Sequence, residues 1–173
     1  MQPKIIILRG NSGSGKTTIS KKLQKKLGHG TLLIPQDVVR REMLYVKDGV
    51  DTKVVDLLIH LILYGRENCT YVILEGILDF SWYYRLFETI KYEFGNGIYA
   101  YYFDIPFEET VHRHKSKPNA NDFGETEIKR WWKEKDFINL FSEQIISIDM
   151  MEDEIVDMIL HHIETGLNSN LLG

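Results

Sequence analysis

Eight consecutive residues, Gly10-Asn11-Ser12-Gly13-Ser14-Gly15-Lys16-Thr17, match the spacing G-x-x-x-x-G-K-[ST] in full. The chemistry that this pattern serves is the holding of phosphate. Glycines let the backbone curl so that successive N–H groups point inward at phosphate oxygens. A helix that starts where the loop ends adds partial positive charge. In such a loop Lys16 is expected to reach the β- and γ-phosphates of a nucleotide and the Thr17 hydroxyl to ligate Mg²⁺, with Thr18 beside them among the nucleotide contacts.

Two further groups of polar residues follow apolar runs. Glu75 closes Val72-Ile73-Leu74, where a carboxylate would stand beside the phosphate loop and hold a Mg²⁺-bound water or assist an acceptor. Glu75 departs mildly from the aspartate common at such a position, so its contact with the metal is expected through water. Asp37 and Arg40 follow Leu32-Leu33-Ile34-Pro35. Residues three apart share one face of a helix, whereas Arg41 is expected to point elsewhere. Asp37 would also serve as a helix N-cap. Asp79, Trp82 and Tyr83 either line a pocket or begin a packed helix; the helix is favoured for Trp82, and Asp79 is a plausible cap.

The elements that position these residues alternate. Strands are expected at Ile5–Leu8, Thr31–Ile34, Tyr71–Leu74, Ile98–Phe103 and Ile145–Ile148. Between them the helical spacing runs over Gly15–Leu27, Asp37–Tyr45, Asp51–Glu67 and Trp82–Phe94, and then from Pro106 with Glu108 and Glu109 in its first turn. A helix through Trp131 and Trp132 and a last one over Glu154–Thr165 complete the pattern. One of the two tryptophans is expected to pack in the core. The segment Lys115–Gly124 reads as a loop, and a polar tail starts at Gly166. Five strands interleaved with helices predict an α/β domain with a doubly wound, five-stranded parallel sheet, whose ligands bind at the carboxyl ends of the strands.

The segments Leu8-Arg9-Gly10-Asn11-Ser12-Gly13-Ser14-Gly15-Lys16, Gln36-Asp37-Val38-Val39-Arg40-Arg41 and Leu74-Glu75-Gly76-Ile77-Leu78 resemble those of P-loop kinases. The nearest pattern is the group of zeta toxin, chloramphenicol phosphotransferase, gluconate kinase and the kinase half of polynucleotide kinase, and these segments look like a bacterial branch of it. The resemblance implies a P-loop NTPase fold of the nucleoside-kinase-like type with a short lid, and ATP and Mg²⁺ as cofactors. It implies that Asp37 faces the acceptor hydroxyl as general base or anchor of a metal-bound water, and that Arg40 holds the acceptor or the transferring phosphate. Lys16, Asp37 and Arg113 would carry catalysis. The lid of such kinases presents two arginines about one turn apart. Arg113 fits the first, and Lys117 stands where the second belongs, with Arg130 as the alternative. A lysine there supplies a point charge rather than a fork.

The whole chain is ordinary in composition: 173 residues, 43 % hydrophobic, 27 % charged, net charge −4, with a sequence pI of about 5.9. The length fits one domain over residues 1–173, with the lid at about 107–130. The acidic balance argues against a nucleic-acid partner. The single cysteine, Cys69, excludes an internal disulfide and fits a cytoplasmic protein. Ile5–Leu8 is too short for a signal core or span, and Asp56 and His60 interrupt Val54–Leu63, so no membrane association is expected. The expected activity is transfer of the γ-phosphate of ATP to a hydroxyl of a small molecule. Nucleoside monophosphate kinases also carry Asp-x-x-Arg, but the Thr-Gly that usually precedes it is missing before Asp37. A nucleic-acid end kinase and an ATP-binding sensor or toxin-like regulator are the other readings. A GTPase-like switch would read guanine through Asn-Lys-x-Asp, which the chain lacks. Nothing in the sequence sets the oligomeric state.

Overall fold

A computed structural model describes residues 2–115, 126, 129 and 132–167. Its centre is β1 (Lys4–Gly10), a strand buried from Ile5 onward. Side chains alternate across a strand, so the two faces of a central strand must both be apolar. Ile5 and Ile7 enter one core, and Ile6 and Leu8 enter the other. That alternation is why an unbroken Ile-Ile-Ile-Leu run builds a sheet covered on both sides.

The remaining strands are β2 (Thr31–Pro35), β3 (Tyr71–Gly76), β4 (Ile98–Phe103) and β5 (Gln144–Ile146). They form one sheet in the order β2-β3-β1-β4-β5, and every neighbouring pair is parallel. The helices divide between the faces. Helices α3 (Val54–Asn68) and α4 (Tyr84–Phe94) cover the Ile5/Ile7 face through Leu58, Ile62, Phe87 and Ile90. Helices α1 (Lys16–Leu27) and α6 (Glu152–Thr165) cover the other through Ile19, Leu23, Ile155 and Ile159. Between β4 and β5 runs α5 (Phe107–Lys115), with Glu108 and Glu109 in its first turn as expected. No helix among the described residues is long and apolar enough to cross a membrane.

Helix α3 starts three residues later than expected, at Val54, and β5 is Gln144–Ile146 rather than Ile145–Ile148; three further departures shape the site. The helix expected over Asp37–Tyr45 is a three-residue α2 (Gln36–Val38) followed by a π-turn, Val39–Met43. The Leu44 N–H donates to the Val39 carbonyl at 3.0 Å, and Tyr45 is left-handed at φ 54°. This wide turn swings the chain back so that Asp48 reaches Gln36. Helix α4 begins two residues later than expected, because Asp79 first closes a turn of its own. At Trp132 the chain is no longer helical, since the next residue gives its backbone to the phosphate loop instead. Trp132 is partly buried, edge-on to Phe107 at 5.2 Å, while Trp131 lies outside the described residues.

Candidate active site

The loop between β1 and α1 is shaped by its glycines. Gly10, Gly13 and Gly15 have φ of 136°, 81° and 99°, values that side chains strongly disfavour. Space forbids a side chain as well. A Cβ on Gly13 would lie 2.8 Å from the carbonyl oxygen of Thr110 in α5. The loop and α5 are therefore in backbone contact, and α5 carries Arg113 one turn beyond Thr110. The Lys16 side chain is buried and curls over the loop, its ammonium donating to the Asn11 carbonyl at 2.8 Å and to Ser14 Oγ at 3.0 Å. A cation is thus held within the ring of backbone that the glycines make.

Glu75 sits at the carboxyl end of β3, opposite Leu8 of β1 and Pro35 of β2. It is buried, and its Oε1 accepts the Thr17 hydroxyl at 3.0 Å. Two hard oxygen donors so close suit Mg²⁺, which takes oxygen ligands and usually keeps phosphate and water in its shell. Among the described residues there is no cluster of three or more His, Cys, Asp or Glu that would replace those outer ligands.

The next strand end holds the second polar group. Asp37 is 57 % exposed; its Oδ1 accepts Arg40 at 2.6 Å and its Oδ2 forms an ion pair with Arg41 at 3.0 Å. Arg41 does not point elsewhere: residues four apart also share a helix face, and it comes back to Asp37. Arg40 also donates to the Val46 carbonyl at 3.3 Å and faces Asp48 at 3.9 Å. Beneath it, Tyr83 donates to Asp48 Oδ1 at 2.6 Å, and Gln36 Nε2 donates to Asp48 Oδ2 at 3.0 Å and to the Tyr83 hydroxyl at 2.7 Å. Burial and the Asp48 carboxylate push the Tyr83 phenol above its ordinary range, so it remains a donor. The sequence pattern gave Asp48 no role: a lone acid in a polar loop carries no signal.

Arg9, like its partners Asp136 and Glu143 and like Lys133, carries no assignment from the sequence pattern. It is fully buried one step before the phosphate loop. Its guanidinium donates to the Leu78 carbonyl (2.8 and 3.1 Å), to Asp136 (2.8 Å) and to Glu143 (3.0 and 3.1 Å), between the rings of Phe87 and Tyr102. Leu78 is itself left-handed, at φ 50°. Burial raises the Glu143 carboxyl above its usual range, against the pull of Arg9. The signal available was a charge inside an otherwise apolar strand, which demands buried partners.

Asp79 is buried after β3. Its Oδ1 accepts Ser81 N–H at 2.9 Å and Ser81 Oγ at 2.6 Å, and its Oδ2 pairs with the Lys133 ammonium. Burial works against its charge, but Lys133 and Ser81 prevail and hold its carboxyl below the usual range. Its capping role is met on the turn before α4. Trp82 lies under Lys133, 5.3 Å from ring centre to ammonium. Of the cations expected in a lid, Arg113 has its backbone in α5; its side chain, and all of Lys117 and Arg130, lie outside the described residues.

A parallel sheet with helices on both faces, and a glycine-rich loop running from the central strand into a helix, define the P-loop NTPase fold. Residues 5–136 match the family model described as an AAA domain, and the chain belongs to that family. No curated protein matches the sequence. The fold is shared with the APS kinase CysC of Mycobacterium tuberculosis, solved in complex with AMPPNP and APS: TM-score 0.68 and 17 % identity over 94 % of this chain and 98 % of that one. It is shared with a gluconokinase from Sinorhizobium meliloti 1021, at TM-score 0.63 and 14 % identity over 99 % and 97 %. A tunicamycin resistance protein of Deinococcus radiodurans also matches, at TM-score 0.62 and 16 % identity over 93 % and 95 %.

Proposed function

We propose that this chain is an ATP-dependent kinase that transfers the γ-phosphate to a hydroxyl of a small-molecule acceptor. The observation that carries the reading is the meeting of Thr17 and Glu75 at 3.0 Å beside the lysine-bearing loop, with Asp37 at the adjoining strand end. Structures of similar fold are named as kinases, which agrees with it. The finer placement, near zeta toxin, chloramphenicol phosphotransferase and gluconate kinase, belongs to the same proposal. So does one kinase domain over 1–173 with a lid at about 107–130, where Arg113, Lys117 and Arg130 are the cations.

In this reading the loop from Gly10 to Thr18 binds the phosphates through backbone N–H groups, and Lys16 balances their charge. Thr17 and, through water, Glu75 hold Mg²⁺, which neutralises phosphate charge when bound. Asp37 orients the acceptor hydroxyl and takes its proton as the oxygen bonds to the γ-phosphorus and ADP departs. Arg40 and Arg41 fix the Asp37 carboxylate, so that it is aimed before the acceptor arrives.

A second reading, a nucleotide-binding regulator without transfer, is favoured by one observation: both oxygens of Asp37 already have arginine partners. Incubation with Mg²⁺-ATP and a panel of sugars, nucleosides and antibiotic-like alcohols separates the two. The kinase reading expects a product heavier by one phosphate; ATP binding with every acceptor recovered unchanged supports the regulator.

A further inference from the structure

We propose that Lys133 and Asp79 are positioning residues of the nucleotide site, acting on the phosphate loop through Asn11. The proposal rests on the nucleotide-binding reading above and deepens it, for neither residue belongs to the loop motif.

Asn11 is the second residue of the loop. Its amide makes two hydrogen bonds to the backbone of one residue 122 positions away: Nδ2 donates to the Lys133 carbonyl at 2.7 Å, and the Lys133 N–H donates to Oδ1 at 3.1 Å. This is the pairing that one strand offers another, made here by a side chain. It fixes Asn11 only as well as Lys133 itself is fixed, and Lys133 stands in irregular backbone. The structure supplies the missing anchor at Asp79. That carboxylate is buried and cannot swing, because its other oxygen is held by Ser81. The Lys133 ammonium pairs with it and lies over the Trp82 ring. A second tie joins the same two segments three residues on, where Asp136 Oδ2 accepts both Phe80 N–H at 2.9 Å and Arg9 at 2.8 Å.

The physical consequence follows from the loop's composition. A glycine-rich segment has many conformations open to it, and ordering it on binding costs affinity. Asn11 ties the loop to the segment Lys133–Asp136, and that segment is tied in turn to the structure after β3. The charge pair between Lys133 and Asp79 therefore helps hold the cradle in its binding form. The turn it organises continues into Tyr83, whose hydroxyl reaches Asp48 and Gln36 below Arg40 and Asp37. Tyr83 thus links the turn after β3 to the polar residues beneath the proposed acceptor base.

The test is a double-mutant cycle on Mg²⁺-ATP affinity, measured by titration calorimetry on the full chain, with melting temperature as the control for folding. Lys133→Met removes the charge while keeping the backbone, at a side chain that is 46 % exposed. We expect it to weaken Mg²⁺-ATP by about fivefold or more, and Lys133→Arg to stay near wild type. In an Asn11→Ala background Lys133→Met should cost nothing further, since the link is already cut. Unchanged affinity in Lys133→Met overturns the proposal. Losses that simply multiply in the double variant also overturn it, because Lys133 would then act independently of Asn11. Failure of the wild-type chain to bind Mg²⁺-ATP would overturn both this proposal and the reading beneath it.

Discussion

The hydroxyl of Thr17 donates to Glu75 Oε1 at 3.0 Å, joining the last residue of the loop motif to the acid at the end of the neighbouring strand. Both oxygens belong to rigid elements, the first turn of α1 and the buried end of β3. If they hold Mg²⁺, Glu75→Gln should leave ATP affinity in EDTA nearly unchanged and reduce the gain from Mg²⁺ by about tenfold or more, the scale of a lost outer-shell partner. Calorimetric titration with and without Mg²⁺ checks this. An equal loss in both conditions would make Glu75 a structural acid.

Gly13 and Gly28 give a matched pair. Both are left-handed, at φ 81° and 87°, but a Cβ on Gly13 meets the Thr110 carbonyl at 2.8 Å, while one on Gly28 has no neighbour within 4 Å. Gly28→Ala should lower stability by about 1 kcal/mol from strain alone and spare nucleotide binding. Gly13→Ala should push the loop off α5 and abolish binding. Thermal-shift titration of both variants with Mg²⁺-ATP is the measurement.

Arg9 should matter for stability more than any exposed charge. Arg9→Met leaves Asp136 and the buried Glu143 without their cation. Breaking a buried pair from one side costs about 3–5 kcal/mol, or roughly 6–20 °C in melting temperature for a chain of this size. A drop of only a degree or two in a thermal melt would contradict the role given to it.

Glu143 gives the pH dependence. Burial raises its folded carboxyl above the ordinary carboxylate range, so the folded chain holds more protons than the unfolded one in the window where pH climbs out of that range. Stability then falls as pH rises through that window. Glu143→Gln cannot ionise and should escape the decline. The melting temperature of Glu143→Gln minus that of wild type should therefore rise as pH climbs from about 4 upward. A flat or falling difference would contradict the shift.

Much of the fold is legible in the sequence because its signals are local. The Ile5–Leu8 run, the glycine spacing of the loop and the apolar ladder of α4 each state their element within about ten residues. The first four expected strands are centred in observed ones, and the fifth, expected at Ile145–Ile148, shares only Ile145 and Ile146 with the observed Gln144–Ile146. The phosphate loop and Glu75 are legible for the same reason, since a strand end beside a motif predicts where an acid must stand. What the sequence hides is long-range. Arg9 meets Asp136 and Glu143 across more than 120 residues, and Asn11 meets Lys133 across 122. No spacing rule connects such partners. The π-turn after α2 is hidden as well, because Gln36, Asp48 and Tyr83 dictate it from three separate segments.

The proposed reaction moves the γ-phosphate from a nucleotide held by Lys16 directly to an acceptor hydroxyl aimed by Asp37. The measurement that tests it most directly follows γ-labelled ATP with each acceptor of the panel, using wild type, Lys16→Ala and Asp37→Asn, with Mg²⁺-ATP affinity taken on the same preparations. Wild type is expected to place label on a small-molecule hydroxyl, and Lys16→Ala to bind Mg²⁺-ATP at least about tenfold more weakly, because charge-assisted contacts of about 1.5–3 kcal/mol each are lost. Asp37→Asn is expected to keep ATP affinity intact with transfer slowed by roughly 100-fold or more. Transfer at the wild-type rate by Asp37→Asn, or Mg²⁺-ATP binding undiminished in Lys16→Ala, would contradict the proposed reaction.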